Sequence, residues 1–497
     1  MKDVGIARKK RNLYGRVNQR QMPPERSLDS GSESGGSTSA GSASTSPPTS
    51  VDEAGSRAGE DGDQFDGLVV SDQAQRMLDG AQDFQALMLA TPLVANPATA
   101  YEAFRLNYNF DVQDLSALTS FHIGKPVLYA LAQRPHLLNT LLGHRIDSYL
   151  EFIPSRYGSK PYFDAAVECL AARGYSALRP WDTRSKAVAL RAYTKALKKL
   201  QEAVVDGDAC EDEDLLAAVQ MLGLREIVDS SHSKAYSSHV AGSSRLVRRR
   251  SPSGFRTEYQ KLLFRAHMGP AFTEAMYNHE ACYLESPEWM RLYESFAEPT
   301  DLWLSDRSEL VIRIRLQMLR LNGLLIDVTR VMDPDAALDT FLWLRTELVV
   351  RQAHKILLDA VEDYKAHVVR TAMMAPPASE LDKRREIYGT ALECLLLYKR
   401  MLGTLCEAER LQLETETLEL ADALVRLNKQ QPNSKYSWIY TAEEQGLAQL
   451  ILLTTHEWTV DLVHLSVNER QLESWERWKR MTSYLHGSAK HGDGTSA

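Results

Sequence analysis

No cysteine precedes Cys169 in this chain of 497 residues, and the five present, Cys169, Cys210, Cys282, Cys394 and Cys406, are scattered. No two stand at C-x-x-C spacing, so neither a zinc site nor a disulfide framework is indicated, and free thiols in a reducing compartment are expected. No apolar run is long enough to cross a bilayer, and the basic N-terminus has no apolar stretch behind it, so a soluble intracellular protein is expected. Neither G-x-x-x-x-G-K-[ST] nor a strand-linked G-x-G-x-x-G occurs, which leaves nucleotide hydrolysis without support. Residues 30–46, rich in Ser and Gly, contain no G-x-S-x-G nucleophile elbow. Alternating apolar and polar runs are missing as well, so no substantial sheet is expected, and no fixed repeat period appears.

What is present is ordinary in bulk and uneven in detail. Charged residues make up 25% and hydrophobic residues 44%, as in a soluble globular protein long enough for one large helical core or for two or three smaller ones. Residues 1–26 carry eight basic and two acidic side chains, a net +6, so the remainder of a chain of net charge −8 sits at −14. An acidic body repels polyanions, and any nucleic-acid contact falls to the basic arm. Residues 27–64 are a Ser/Gly-rich stretch with almost nothing apolar to offset the entropy of ordering, and are expected to form a disordered linker. The tail 487–497 is expected to be disordered for the same reason.

From Phe65 to His486 the period is helical. Between Ser185 and Val204 the residues Ala189, Leu190, Tyr193, Ala196, Leu197, Leu200, Ala203 and Val204 share one face, with Lys195, Lys198 and Lys199 opposite. Asp214 is placed to cap the next helix. Leu310–Val328 is apolar on almost every side and reads as one buried helix. Asp335 stands where it would cap a long helix running toward Ala372, with Leu338, Phe341, Leu342, Leu348 and Val349 buried. Pro376-Pro377 ends that helix, and the pattern resumes at Ser379 or Asp382. Helices over about 381–408 and 411–428 break at Gln431-Pro432-Asn433, and two more follow over about 441–466 and 468–485. The fold class is all-α: an array of antiparallel helical hairpins in one large domain over 65–486, behind a disordered arm and linker.

Candidate chemistry is sparse. His232, His239, His267, His279, Glu280, Cys282 and Glu285 crowd one window; adjacent His279 and Glu280 point apart, Cys282 could share the face of His279, and one such pair is not a site. Capping and buried hydrogen bonds account for these residues better than a metal does. His267 is read near the end of a helix over Phe255–Met268, before the stop Gly269-Pro270, where a donor complements the last carbonyls. Arg8-Lys9-Lys10-Arg11 is a short basic run of the kind used for nuclear import or non-specific phosphate contact, unless it is a solvated tail with no partner. Arg245 to Arg250, with Ser251-Pro252 after it, is a second basic run that reads as a loop or a surface for an acidic partner. No catalytic, cofactor-binding or metal-ligating set is assigned.

One ordered series of short pieces remains. It comprises Pro161, Phe163, Asp164 and Ala165; Tyr193-x-x-Ala196-Leu197-x-x-Leu200-Gln201; Leu222-Gly223-Leu224-x-Glu226; and Gly242. Then come Phe255-x-Thr257-Glu258, Ala266-His267-x-Gly269-Pro270 and Leu284-Glu285-x-Pro287-Glu288-Trp289. In order and spacing this series resembles the regulatory, fungal-specific transcription factor domain of the fungal zinc-cluster (Zn2Cys6) transcription factors, best over about 152–290. The pieces are core and turn residues, with no catalytic duty implied.

Members of that family hold DNA with a module folded around two zinc ions and six thiolates. The first 168 residues here offer no thiolate, so specific DNA binding of that type is not expected of this chain. The resemblance then implies a nuclear, non-enzymatic, transcription-regulator-like protein without cofactor. It would act through regulatory protein partners, zinc-cluster relatives or a second copy of itself, in control of genes such as those of secondary metabolism. Two other readings stand beside it: a truncated gene model of a complete zinc-cluster activator, and a helical enzyme or scaffold of a biosynthetic pathway.

Overall fold

The structure is a computed structural model that describes residues 97–205, 211–229, 233–334, 339–430, 438–460, 462 and 464–487. The expectations for Arg8, Lys9, Lys10 and Arg11, for the linker, for Asp335 and Leu338, and for Gln431-Pro432-Asn433 lie outside the described residues. The described residues are helical in all their regular elements, and only an isolated bridge between Glu298 and Ser308 has strand character among them. None of the described helices is long and apolar enough to cross a membrane.

In chain order the principal helices are α1 (Pro97–Tyr108), α2 (Lys125–Gln133), α3 (Pro161–Ala177), α4 (Thr183–Val205) and α5 (Glu213–Asp229). They continue with α6 (Ser233–Arg250), α7 (Glu258–Asn278), α8 (Pro287–Glu294), α9 (Glu309–Leu319) and α10 (Leu321–Met332). The last are α11 (Thr340–Thr371), α12 (Ala378–Leu405), α13 (Arg410–Lys429), α14 (Trp438–Thr459) and α15 (Val467–Gly487). Successive helices pair as hairpins, α3 with α4, α5 with α6, α11 with α12, α12 with α13 and α13 with α14, and one continuous apolar core joins them.

Two of these helices are wrapped by the rest. In α5 every residue from Asp214 to Val228 is buried, consistent with its apolar run Leu215–Val219 and Met221–Leu224. In α12 burial takes in Glu380, Lys383, Arg384, Glu386, Lys399 and Arg400, so the charges must be matched inside the protein. Glu386 pairs with Lys383 at 2.7 Å and with Arg315 of α9, and His122 stands 3.1 Å away. Asp306 joins the same cluster through Lys383 at 2.6 Å and Arg315 at 2.7 Å. Burial alone would raise the Asp306 carboxyl, but Lys383 and Arg315 outweigh it and hold the group well below the ordinary carboxylate range. Farther along α12, Arg400 meets Glu414 of α13 at 2.7 Å and lies over the Trp458 ring of α14.

Several local expectations are corrected by packing. Asp214 does not cap α5: it is buried in the first turn against Arg156 at 2.6 Å, and Asp212 accepts the backbone N–H of Asp214 at 2.9 Å. The cap of α11 is Asp339, whose carboxylate accepts from the Leu342 N–H at 3.0 Å. Leu310–Val328 is two helices and not one. Glu285 reaches the Gly323 N–H at 3.0 Å, and a side chain inserted in the ladder there breaks the helix at Arg320.

The basic run Arg245–Arg250 is the end of α6 and not a loop, with His239 and Gly242 inside that helix rather than at its close. Arg248, Arg249 and Arg250 fall in the last turn, where positive charge complements the carbonyl ends.

The helix carrying His267 does not stop at Gly269-Pro270. It starts at Glu258, capped by Thr257 and Gln260, and runs through both residues to Asn278, closing on His279 at φ 58°. Proline is tolerated there at the cost of one ladder bond. Gly269 is explained by proximity: a Cβ would stand 1.8 Å from the Phe121 carbonyl oxygen. Gly269→Ala should therefore destabilise the protein by about 2 kcal/mol or more, as a lowered urea midpoint with unchanged helical content. A midpoint equal to that of the wild type would show that the Phe121 turn yields without cost.

A candidate binding cavity between α5, α6 and α7

Helices α5, α6 and α7 meet the turn at Thr119 and the residue Tyr149 around a buried cavity of about 30 Å³. That is room for roughly two waters. Apolar side chains such as Leu118, Val219, Ile227 and Val240 form most of the wall, and among the described residues no charged side chain lines it. Four buried polar atoms on lining residues have no partner among the described residues: the hydroxyls of Tyr149 and Tyr236, Oε1 of Gln220, and Nδ1 of His239. The other end of each polar head is fixed where it can be. Gln220 donates from Nε2 to the Leu263 carbonyl at 3.0 Å, and His239 Nε2 lies 3.2 Å from the Tyr193 hydroxyl.

The second histidine of the cavity, His267, places Nε2 2.8 Å from the Tyr283 hydroxyl and 3.3 Å from Ser244. Burial pushes His267 down to about 3. Burial, helped by the nearby Arg225 charge, does the same to His239. Both rings are neutral at physiological pH. Four unmatched buried polar atoms would cost about 1–3 kcal/mol each, a total comparable with the whole stability of a domain. The wall can instead donate to, and accept from, an uncharged molecule. Ser243 follows His239 by one turn, and His239 Nδ1 accepts from no hydroxyl among the described residues.

The residues singled out in the sequence fall around this cavity in two groups. His267 and Pro270 line it, and Gly269 brings α7 against the Phe121 turn. Phe255 and Trp289 flank the Phe264 ring, centroids 5.2 and 5.7 Å away, and Trp289 meets Tyr283 edge-on at 5.6 Å. This aromatic stack holds the Tyr283 hydroxyl on His267. Glu285 closes the adjoining turn by accepting the Cys282 N–H at 3.0 Å, and Pro287 opens α8.

Others stand away from the cavity as framework. Pro161 opens α3, Phe163 is fully buried, and the Asp164 carboxylate accepts the Gly158 N–H at 2.8 Å. Burial raises Asp164 to about 6 and Glu285 to about 7. Gly242 faces Val219, and Glu258 pairs with Arg307. Among the described residues no group of three or more His, Cys, Asp or Glu converges as metal ligands would. The sequence reading passed over Tyr149, Gln220 and Tyr236. Gln220, a lone amide in the apolar run of α5, was the visible signal.

The two histidines give stability a pH dependence with a definite sign. Each has its folded value at about 3 against 6.5 for a free imidazole. The unfolded chain takes up the proton first, so each histidine lowers stability as pH falls from about 6.5 toward about 3, by about 1.4 kcal/mol per pH unit. In urea titrations at about pH 7 and about pH 5, His267→Phe should lose less stability on acidification than the wild type. The comparison cancels opposite contributions such as that of Glu285, and parallel losses would refute the assignment.

Comparison with known proteins gives three findings. No solved structure matches the chain. A curated protein of Emericella nidulans, described as uncharacterized, is 25% identical over 170 residues, which are 34% of this chain and 36% of that protein. The match thus spans about a third of the relative's length. Residues 165–276 match the family model of the fungal specific transcription factor domain. That segment holds α3 beyond its first turn and α4 to α6, with all but the last turn of α7. Of the cavity lining, only Leu118, Thr119 and Tyr149 fall outside it. Over those residues the chain is similar to a fungal specific transcription factor domain.

Proposed function

We propose that this chain is a regulator of transcription that works in the nucleus through protein partners, with neither catalysis nor sequence-specific DNA binding of its own. The observation that carries the reading is the family match over residues 165–276, which falls on helices of one continuous core.

The surface we assign to such a partner lies on α11, where packing overturns an expectation. Phe341, Leu348 and Val349 were expected inside, but α11 buries the face of Thr346, Val350, Ala353, Leu357, Ala360, Val361, Tyr364 and His367. Phe341, Leu344 and Leu348 are left 77, 60 and 56% exposed. Their i, i+3, i+7 spacing makes one apolar stripe over two turns, and the exposed Arg345 adjoins it. The occupant this stripe suits is an amphipathic helix of a regulatory protein, with acidic residues flanking its apolar stripe to face Arg345.

The test fuses the full chain to a heterologous DNA-binding module and reads a reporter gene. The wild-type fusion should change reporter output, and Leu344→Glu with Leu348→Glu should abolish most of that change. These exposed substitutions should leave the urea midpoint within about 0.5 kcal/mol of the wild type. An inert wild-type fusion would overturn the regulatory reading. A double variant that keeps full output would overturn the α11 surface alone, and loss of a dimer in light scattering would identify a second copy as the occupant.

A further inference from the structure

We propose that the cavity between α5, α6 and α7 is a specific binding site for a small uncharged group that both donates and accepts hydrogen bonds, such as a primary amide or an alcohol. The argument rests on the geometry alone and holds whether or not the chain regulates transcription.

Three observations carry it. First, on residues that line the cavity, two hydroxyls, one amide oxygen and one imidazole nitrogen lack a partner among the described residues, and the residues bearing them are at least nine-tenths buried. They come from three separate stretches, Tyr149, Gln220 of α5, and Tyr236 and His239 of α6, so no local turn explains their coincidence. Second, among the described residues no charged side chain lines the wall, which selects a neutral ligand over an ion.

Third, Gly223 of α5 lines the cavity with no packing reason to be glycine. Its Cβ would meet only the Cβ of His239, at an ordinary 3.7 Å, whereas Gly124, Gly174, Gly269 and Gly323 would each clash with a neighbour. Glycine inside a helix is unfavourable relative to alanine. What it leaves here is room in the cavity wall that a methyl group would fill. The volume fits a polar head of roughly two to four non-hydrogen atoms.

Acetamide is the probe, because one molecule presents both an N–H donor and a carbonyl acceptor. The purified full chain is titrated with it while the melting temperature and ligand-observed NMR are followed, and xenon serves as the apolar match. Saturable binding is expected for acetamide and not for xenon. Tyr236→Phe and Gln220→Met should each weaken it by about tenfold, the value of one hydrogen bond. Gly223→Ala should weaken it also, while leaving the unliganded protein at least as stable as the wild type, which separates loss of the site from loss of the fold. Absence of saturation, affinity untouched in all three variants, or equal response to xenon would overturn the proposal and leave a site for water alone.

Discussion

A helix buried on every side cannot carry an unmatched charge, and that constraint organises this protein around α5 and α12. In α5 it is met mainly by composition. The apolar run is interrupted by Gln220, which spends its amide on the Leu263 carbonyl, and by Arg225, which pairs with Glu226 at 2.7 Å and Asp229 at 2.5 Å. In α12 it is met partly within the helix, by Glu380 for Arg384 and by the Lys383–Glu386 pair, and partly by partners from elsewhere, Asp306 for Lys383, Arg315 for Glu386 and Glu414 for Arg400. Removing one member of such a pair strands the other in the interior, at about 3–5 kcal/mol. The pairs therefore tie α9, α12 and α13 to one register, which well-packed apolar replacements would not specify.

The cavity follows from the same crowding. Helices α5, α6 and α7 pack against one another, and Gly223 and the short side chain of Ser243 leave a gap between them. The polar groups left in that space are stiff. Tyr149 and Tyr236 are aromatic and buried, and His239 is anchored at Nε2 by Tyr193. On the far side, the stack of Phe255, Phe264 and Trp289 fixes Tyr283 and through it His267. Much of the segment similar to fungal transcription factor domains is thus occupied in building one lined cavity, and the α11 stripe lies outside that segment.

Helix content and pairing were legible because they depend on local pattern. The face of α4 was visible in the spacing of Ala189, Ala196, Leu197 and Leu200, all buried in the structure. The face of α11 was not, since its first turns, Phe341 to Val350, are apolar nearly all round, and two stripes compete. Only contact with α9, α10 and α12 decides between them. Gly269-Pro270 looked like a helix stop because both residues break isolated helices. Here the surrounding helices stabilise α7 past them, and glycine serves the approach of Phe121. Of the cavity, the sequence displayed His239 and His267 but not their neighbours, which are distant along the chain.

By itself, the sequence determined an all-helical body, an acidic charge balance outside its first 26 residues, the absence of thiolates before Cys169, and the likeness of its central segment to a regulatory domain. These are properties of composition, period and order, which exist before any helix meets another. The tertiary structure alone decided which α11 stripe faces solvent, which carboxylate breaks the α9–α10 run, and which residues with unpartnered polar atoms line one cavity. Each of those depends on distances between residues far apart in sequence, and such distances are fixed only when side chains compete for the same buried space.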